Sequence, residues 1–298
     1  MLSGHGMFHE MPTFFFCIKF CTVKETCFKS MLSKKLKILF CFSIACKMVC
    51  AQIDTVIAHS HNDYLHEHPL FDALNCNFRS IEADVYSIGD SLFVAHDFDK
   101  IKSGHTLRSL YLEPLKEQIQ KNHGSVYGDG EEIILFIDIK DNGDRTYNLF
   151  HDIIAEYKEY MTVFENGVKT KGQIMVVISG NRPYQFMKEQ VVRYAGYDGR
   201  LDNLDSNIPS SLMPVISDNW DNYFTWNGTG EMPRDEKLKL HEIATKAKYK
   251  GYLLRFWATP NQSKEQRTAV WTVLTNAGVG MIGTDNLIDL KEFIQHAK

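Results

Sequence analysis

The chain has 298 residues, 44% hydrophobic and 12% aromatic, with 33 Lys and Arg against 37 Asp and Glu for a net charge of −4. This composition is that of a globular protein and excludes a disordered or fibrous one. No basic stripe is present to release counterions, so nucleic acid and anionic membrane surfaces are not expected as general partners, and a phosphate-bearing substrate has to be met by a local cation.

The first feature in chain order reads as a targeting segment. Lys34, Lys35 and Lys37 form a basic start, residues 38–46 an apolar run, and Val49-Cys50-Ala51 a cleavage position. The expectation is an N-terminal extension and cleavable signal peptide over 1–51, with Met31 as an alternative start, and a protein secreted or periplasmic after cleavage near Ala51. The nine-residue run is too short to span a bilayer, which takes roughly 20 residues, so no stable transmembrane segment is expected in the mature chain. Lipid anchoring at Cys50 is the lesser alternative, because Lys47 and Met48 suit that signal poorly. Cleavage would leave 26 basic against 35 acidic residues, a net charge of −9. It would also remove six of the seven cysteines, so Cys76 would stand alone with no internal disulfide.

Residues 52–298 have about the length of one (β/α)8 barrel, and apolar β-rich runs alternate with helical patterns throughout. The runs fall at 55–58, 80–85, 92–95, 133–139, 174–178, 212–216, 252–256 and 279–282. The expected fold is therefore α/β, a TIM barrel, irregular around strands 2 and 3. Those two strands are joined by only Ser87-Ile88-Gly89-Asp90-Ser91, which is too short for a helical crossover and typical of an antiparallel return. Tyr147, Phe150, Ile154 and Tyr157 recur at helical spacing. Ser263 with Gln266 reads as a capping box for a helix that Gly278 stops. Pro233 opens a helix with the stripe Leu240, Ile243, Ala244 and Ala247, and Leu287, Leu290, Phe293 and Ile294 mark the last helix. The polar, glycine-containing stretch 197–211 reads as a long loop.

Glu82 and Asp84 are two apart on a strand, so both point to one face while Ile81, Ala83 and Val85 point to the other. Paired carboxylates repel, and in a barrel strand buried on both faces unpaired charge is costly, so a cation is implied. Asp138 and Lys140 repeat this geometry on the fourth run. Glu82, Asp84 and Asp138 form an all-oxygen set suited to Mg²⁺ or Ca²⁺ rather than Zn²⁺ or copper. The plainer alternative is a buried ion pair between Lys140 and one carboxylate. His59 and His96 close the first and third runs on the same face as the carboxylates, which fits a general acid and base. His61 lies on the side of His59 if the strand continues. Trp257, after the seventh run, and Asp285, after the eighth, are candidates to line a substrate pocket. His66, His68 and His105 read as loop histidines.

These residues resemble the superfamily of glycerophosphodiester phosphodiesterases, bacterial phosphatidylinositol-specific phospholipases C and sphingomyelinase D toxins. Val56-Ile57-Ala58-His59 is similar to its opening catalytic-histidine strand, Ile81-Glu82-Ala83-Asp84-Val85 to its paired metal ligands, and His96-Asp97 to its second catalytic histidine. Residues 136–140 correspond to its third ligand strand and 278–285 to its closing strand. Ala58-His59-Ser60-His61-Asn62-Asp63-Tyr64 and Thr106-Leu107-Arg108-Ser109-Leu110-Tyr111 more closely resemble the proteins named for altered inheritance of mitochondria. Ser60 stands where glycerophosphodiester enzymes place arginine, and Asp138 where they usually place glutamate. The resemblance implies a metal-dependent phosphoric diester hydrolase of lipid metabolism with His59 as base, His96 as acid and Lys140 as a further positive contact, and the leader would make it a secreted one. Its partner would be a phosphodiester small molecule or a phospholipid headgroup.

Two other functions fit parts of the pattern. His59-Ser60-His61 is a His-x-His at the end of a first barrel strand, as in amidohydrolase-like metal hydrolases, but residues 174–180 and 212–218 offer none of the further histidine or lysine ligands such sites need. A non-catalytic secreted barrel binding a phosphorylated ligand is the third reading, and retention of both histidines and all three carboxylates weighs against it.

Overall fold

The structure is a computed structural model that describes residues 56–296. The leader expected over 1–51, with its six cysteines, lies outside the described residues, and Cys76 is a buried free thiol. No helix among the described residues is long and apolar enough to cross a membrane.

The strands are β1 Ile57–Ser60, β2 Ser80–Ile88, β3 Ser91–Val94, β4 Ile133–Ile139, β5 Val163–Glu165, β6 Val168–Thr170, β7 Ile174–Gly180, β8 Val192–Arg193, β9 Ala195–Gly199, β10 Val215–Asn219, β11 Leu253–Trp257 and β12 Met281–Thr284. Eight of them, β1, β2, β4, β7, β9, β10, β11 and β12, pair in parallel in that order. Pairing of β12 with β1 and of β1 with β2 closes the barrel. The covering helices include α1 Phe71–Asn75, α2 Glu113–Lys121, α3 Gly143–Ala155, α4 Tyr184–Glu189, α5 Arg234–Tyr249, α6 Lys264–Ala277 and α7 Leu287–His296.

Parallel barrel strands are buried on both faces, which explains near-continuous apolar runs such as Ile-Ile-Leu-Phe-Ile in β4. One set of alternating side chains, including Ile81, Ala83, Leu135, Ile137, Val176 and Ile178, packs outward with helix residues such as Phe150, Leu240 and Leu274. The other set, with Ile134, Phe136, Met175, Val177, Val215 and Met281, fills the barrel interior. Phe164 joins that inner cluster from a small antiparallel sheet of β6, β5 and β8. The helix ends fall where their signals put them, although the capping box is half-formed, with Gln266 Oε1 accepting from Gln262 N at 3.1 Å instead of from Ser263 N. Asn142 caps α3 by accepting from Arg145 N at 2.9 Å, Ser263 caps α6 by accepting from Gln266 N at 3.2 Å, and Gly278 ends α6 with φ 83°.

Two strand assignments change. The third run, now β3, pairs antiparallel with β2 and lies outside the barrel, as its short turn implied. The barrel's remaining strand is β9, two residues ahead of and overlapping the stretch read as a loop. Its sequence, Ala-Gly-Tyr-Asp-Gly, hides it. Gly196 and Gly199 give it no apolar pattern, yet a Cβ at either would strike the Pro214 ring or the Met213 side chain.

Candidate active site

The barrel closes with a ring of polar side chains near the C-terminal ends of its strands, the end at which barrel enzymes carry their chemistry. In parallel register Asp84 lies beside Asp138, and Asp138 beside Ser179. Glu82 and Asp84 are both buried, and one ligand atom from each of Glu82, Asp84 and Asp138 lies within 4.8 Å of the others. These charges face Lys140 and Arg255, which leaves the cluster short of one positive charge.

Each carboxylate has one oxygen fixed by donors and one left free. Glu82 Oε2 accepts from His59 Nε2 at 2.8 Å and forms an ion pair with Arg255 Nη2 at 3.0 Å, while Oε1 has only His61 Nε2, 3.9 Å away. Asp84 Oδ2 takes Tyr64 OH at 2.7 Å, Lys140 Nζ at 2.8 Å and His96 Nδ1 at 3.1 Å, while its Oδ1 is buried with no partner. Asp138 Oδ1 pairs with Lys140 at 3.1 Å. A buried, unpartnered carboxylate oxygen beside two other carboxylates fits a bound hard cation, and an all-oxygen donor set fits Mg²⁺ or Ca²⁺. Gly180 keeps the space open, since it adopts φ 67° and a Cβ there would collide with Asp138 Oδ1.

The electrostatics follow from burial and these partners. Burial alone would raise the Glu82 pKa, but the Arg255 guanidinium and the His59 hydrogen bond outweigh it and hold the group well below the usual carboxylate range. Burial lifts Asp138 to about 6, with Asp84 and Glu82 adding to the rise and Lys140 opposing it. Burial and Glu82 raise Asp84 against the same lysine. Burial opposes the charge on Lys140, yet Asp138 and Asp84 raise its pKa overall.

The three histidines are placed differently. His59 is fully buried in the barrel, with Nδ1 2.7 Å from Ser80 Oγ and Nε2 on Glu82. Donation to the carboxylate fixes the proton on Nε2, so Ser80 donates to Nδ1 and both nitrogens are used. Burial, reinforced by Arg255, lowers the His59 pKa to about 3. His61 lies one step further out, half-exposed, with Nδ1 2.7 Å from Asp285 Oδ1. Burial would lower its pKa, but the Asp285 hydrogen bond and the Glu82 charge raise it overall. His96 stands at the rim, its side chain 54% exposed, with Nδ1 on Asp84. His61 and His96 thus share one arrangement: Nδ1 is anchored to a carboxylate and Nε2 is available.

The segment after β1 explains how this is held. Asn62 takes the left-handed conformation at φ 48°. Fully buried Asp63 then accepts from Ser60 Oγ at 2.7 Å, Leu70 N at 2.6 Å and Tyr111 OH at 3.0 Å, pinning the loop. The turn delivers the Tyr64 hydroxyl to Asp84.

Of the residues selected from sequence, His59, His61, Glu82, Asp84, His96, Asp138 and Lys140 converge on one cluster. Trp257, 37% exposed, stands beside it and lines a cavity with His61, Arg255 and Asp285. Arg255 and Tyr64 join the cluster without having been among the sequence candidates. Arg255 had a legible signal, a charge inside the apolar strand Leu-Leu-Arg-Phe-Trp and two residues from Trp257, hence on its face. Tyr64 had none, because a tyrosine in a loop does not reveal its partner. Across the ring, Asp198 of β9 accepts from Ser179 Oγ at 2.8 Å, Ser217 Oγ at 2.6 Å and Arg200 Nη1 at 2.9 Å, a network hidden with its strand. His59 and His61 do not converge as a His-x-His ligand pair, since His59 has both nitrogens engaged.

A family model described as the AIM6-like phosphodiesterase domain matches residues 47–198, just over half of the chain. The chain belongs to that family. The matched region carries β1, β2, β4 and all three clustered carboxylates. Among curated proteins, altered inheritance of mitochondria protein 6 homolog from Arthroderma benhamiae is 26% identical over 259 residues, covering 77% of this chain and 81% of that protein. Altered inheritance of mitochondria protein 6 from Eremothecium gossypii is 26% identical over 274 residues, covering 79% and 68%. Among solved structures, Thermotoga maritima Cel5A in complex with cellobiose matches with a TM-score of 0.46 at 12% identity, covering 81% of this chain and 97% of that one, a likeness too slight to bear on function.

Proposed function

We propose that this AIM6-like domain is a metal-dependent phosphoric diester hydrolase acting on a small phosphodiester or a phospholipid headgroup. The observation that carries this reading is the cluster of three carboxylates, each with one oxygen fixed and one free, flanked by two imidazoles that offer Nε2. A divalent cation held by Glu82, Asp84 and Asp138 would supply Lewis-acid stabilisation of the charge that develops on a nonbridging phosphate oxygen.

The chain's own residues divide the remaining work. Arg255 and His59 hold Glu82 in place, while Tyr64, Lys140 and His96 hold Asp84. Lys140, between Asp84 and Asp138, presents a fixed positive charge to the phosphoryl group. His61, oriented by Asp285, and His96, oriented by Asp84, carry the proton from the attacking hydroxyl and the proton to the departing alcohol. In this assignment His61 takes the part expected of His59, because His59 is buried and keeps no free nitrogen. Export after cleavage near Ala51 belongs to the same proposal, and N-terminal sequencing of the protein recovered outside the cytoplasm checks it.

The test is a hydrolysis screen with and without chelator, using a chromogenic diester and then phosphatidylinositol and glycerophosphocholine. Metal-dependent turnover is expected. A protein that binds Mg²⁺ or Ca²⁺ yet cleaves none of them would instead indicate a non-catalytic binding barrel.

A further inference from the structure

In a regular barrel each strand is followed by a covering helix. Between β9 and β10 there is only a single 3₁₀ turn at 201–203 and then irregular chain to 214. Beside that chain lies a cavity of about 350 Å³, with Tyr184, Lys188, Gln190, Arg193, Asn207 and Ser211 in its wall. Arg193 stands two residues ahead of β9 and Ser211 four ahead of β10, so both belong to the N-terminal end of the barrel, opposite the carboxylate cluster.

This wall carries positive charge that nothing in the described residues offsets. Arg193 is only 5% exposed. Its Nη1 donates to Ala195 O at 2.8 Å, its Nη2 to Ser211 O at 3.0 Å, and its guanidinium lies 5.0 Å from the centre of the Phe164 ring. Burial pushes its pKa below the ordinary arginine value, with the Tyr147 hydroxyl opposing. Carbonyls and a ring satisfy N–H groups in part, but they do not neutralise a full charge, and a buried charge without a counter-ion is costly. Arg255, the other deeply buried arginine, has Glu82 for that purpose, whereas no described carboxylate pairs with Arg193. Lys188 adds a second cation, its Nζ 5.9 Å from the centre of the Tyr184 ring, again with no carboxylate paired to it. No Asp or Glu lines the cavity, although acidic residues outnumber basic ones in the chain, 37 to 33. Neutral donors complete the wall. Gln190 Oε1 accepts from Tyr147 OH at 2.7 Å, which fixes the amide with its NH2 left to donate.

We propose that this cavity is a second, noncatalytic site that binds a phosphate dianion, free or as the end group of a small monoester. The proposal goes beyond the hydrolase reading and stands without it. Two cations match two negative charges, and each Nη of Arg193 keeps one N–H beyond its carbonyl for a phosphate oxygen. Lys188, at the exposed edge, meets the anion as a point charge.

The experiment is titration calorimetry of the full chain at pH 8 with inorganic phosphate, glycerol phosphate and acetate, at fixed ionic strength set by chloride. EDTA is present throughout, so that no divalent ion draws phosphate to Glu82, Asp84 and Asp138. Phosphate or glycerol phosphate is expected to bind with a Kd of about 1 mM or tighter. Acetate, with a single charge, should bind at least about tenfold more weakly. A tighter Kd for glycerol phosphate than for phosphate identifies a monoester as the ligand, and equal values identify the phosphate group alone. Arg193→Met and Lys188→Glu should each weaken phosphate binding by about tenfold or more. Lys188→Glu changes an exposed helix position and so keeps the test decisive if Arg193→Met fails to fold. Absence of binding by both phosphates, equal binding of acetate, or undiminished phosphate binding in folded Lys188→Glu overturns the proposal. None of these readouts involves turnover, so the hydrolase reading stands or falls separately.

Discussion

His61 Nδ1 lies 2.7 Å from Asp285 Oδ1, a contact that joins the end of the first barrel strand to the turn after the last and leaves His61 Nε2 facing Glu82. A histidine oriented in this way is suited to proton transfer. His61→Ala is expected to lower kcat on a chromogenic diester by about 10²- to 10⁴-fold. Asp285→Asn should cost less and move the matching limb of the pH–rate profile to lower pH, because the Asp285 hydrogen bond is among the contacts that raise the His61 pKa. Steady-state kinetics across pH separates the two effects.

His59 should show itself in stability. Its pKa falls from 6.5 in an unfolded chain to about 3 in the fold. Between those values the unfolded chain binds a proton that the folded protein does not, so the unfolded state is favoured as pH falls. The contribution is fully present above pH 6.5 and is lost progressively as pH drops toward 3. In chelated protein this single group is worth on the order of a few kcal/mol across that window. Urea midpoints measured at pH 7.5 and pH 5 should fall for the wild type and fall less for His59→Gln.

Arg255 is buried against Glu82, with its guanidinium 5.4 Å from the centre of the Phe136 ring. Arg255→Met leaves the Glu82 carboxylate without its ion-pair partner in a dry setting, which costs about 3–5 kcal/mol. Mg²⁺ or Ca²⁺ should recover part of that loss by neutralising the same charge. Thermal melts with and without divalent ion test this, and a variant as stable as the wild type without metal would show that Arg255 does not carry Glu82.

Tyr64→Phe removes one of three donors from Asp84 Oδ2 and should destabilise the fold by about 0.5–1.5 kcal/mol. It should also weaken divalent-ion affinity, because Asp84 loses a hydrogen bond that orients it. Isothermal titration with Mg²⁺ or Ca²⁺ gives this directly, and unchanged affinity would assign Tyr64 to packing alone.

The residues show why the barrel and most of the cluster were legible in sequence while other parts were not. Strand alternation alone puts Glu82 with Asp84 and Asp138 with Lys140 on one face, and parallel burial makes those charges conspicuous. β9 is not legible because close packing against Met213 and Pro214 demands glycine where a sequence pattern would show an apolar side chain. The difference between His59 and His61 was also out of reach. Both face inward in alternation, and only the depth of the barrel shows that Ser80 and Glu82 consume the first while the second remains at the mouth. Tyr64 depended on the Asp63 staple, a loop geometry set by Ser60, Leu70 and Tyr111 together.

Metal-dependent diester hydrolysis is tested most directly by assaying purified protein on bis(p-nitrophenyl) phosphate after chelation, after repletion with Mg²⁺ or Ca²⁺, and in Asp84→Asn. Turnover should vanish with chelator, return with the divalent ion, and fall by at least about 10²-fold in the variant. Turnover that survives chelation, or a variant with the wild-type rate, would contradict the assignment of Glu82, Asp84 and Asp138 as the catalytic metal site.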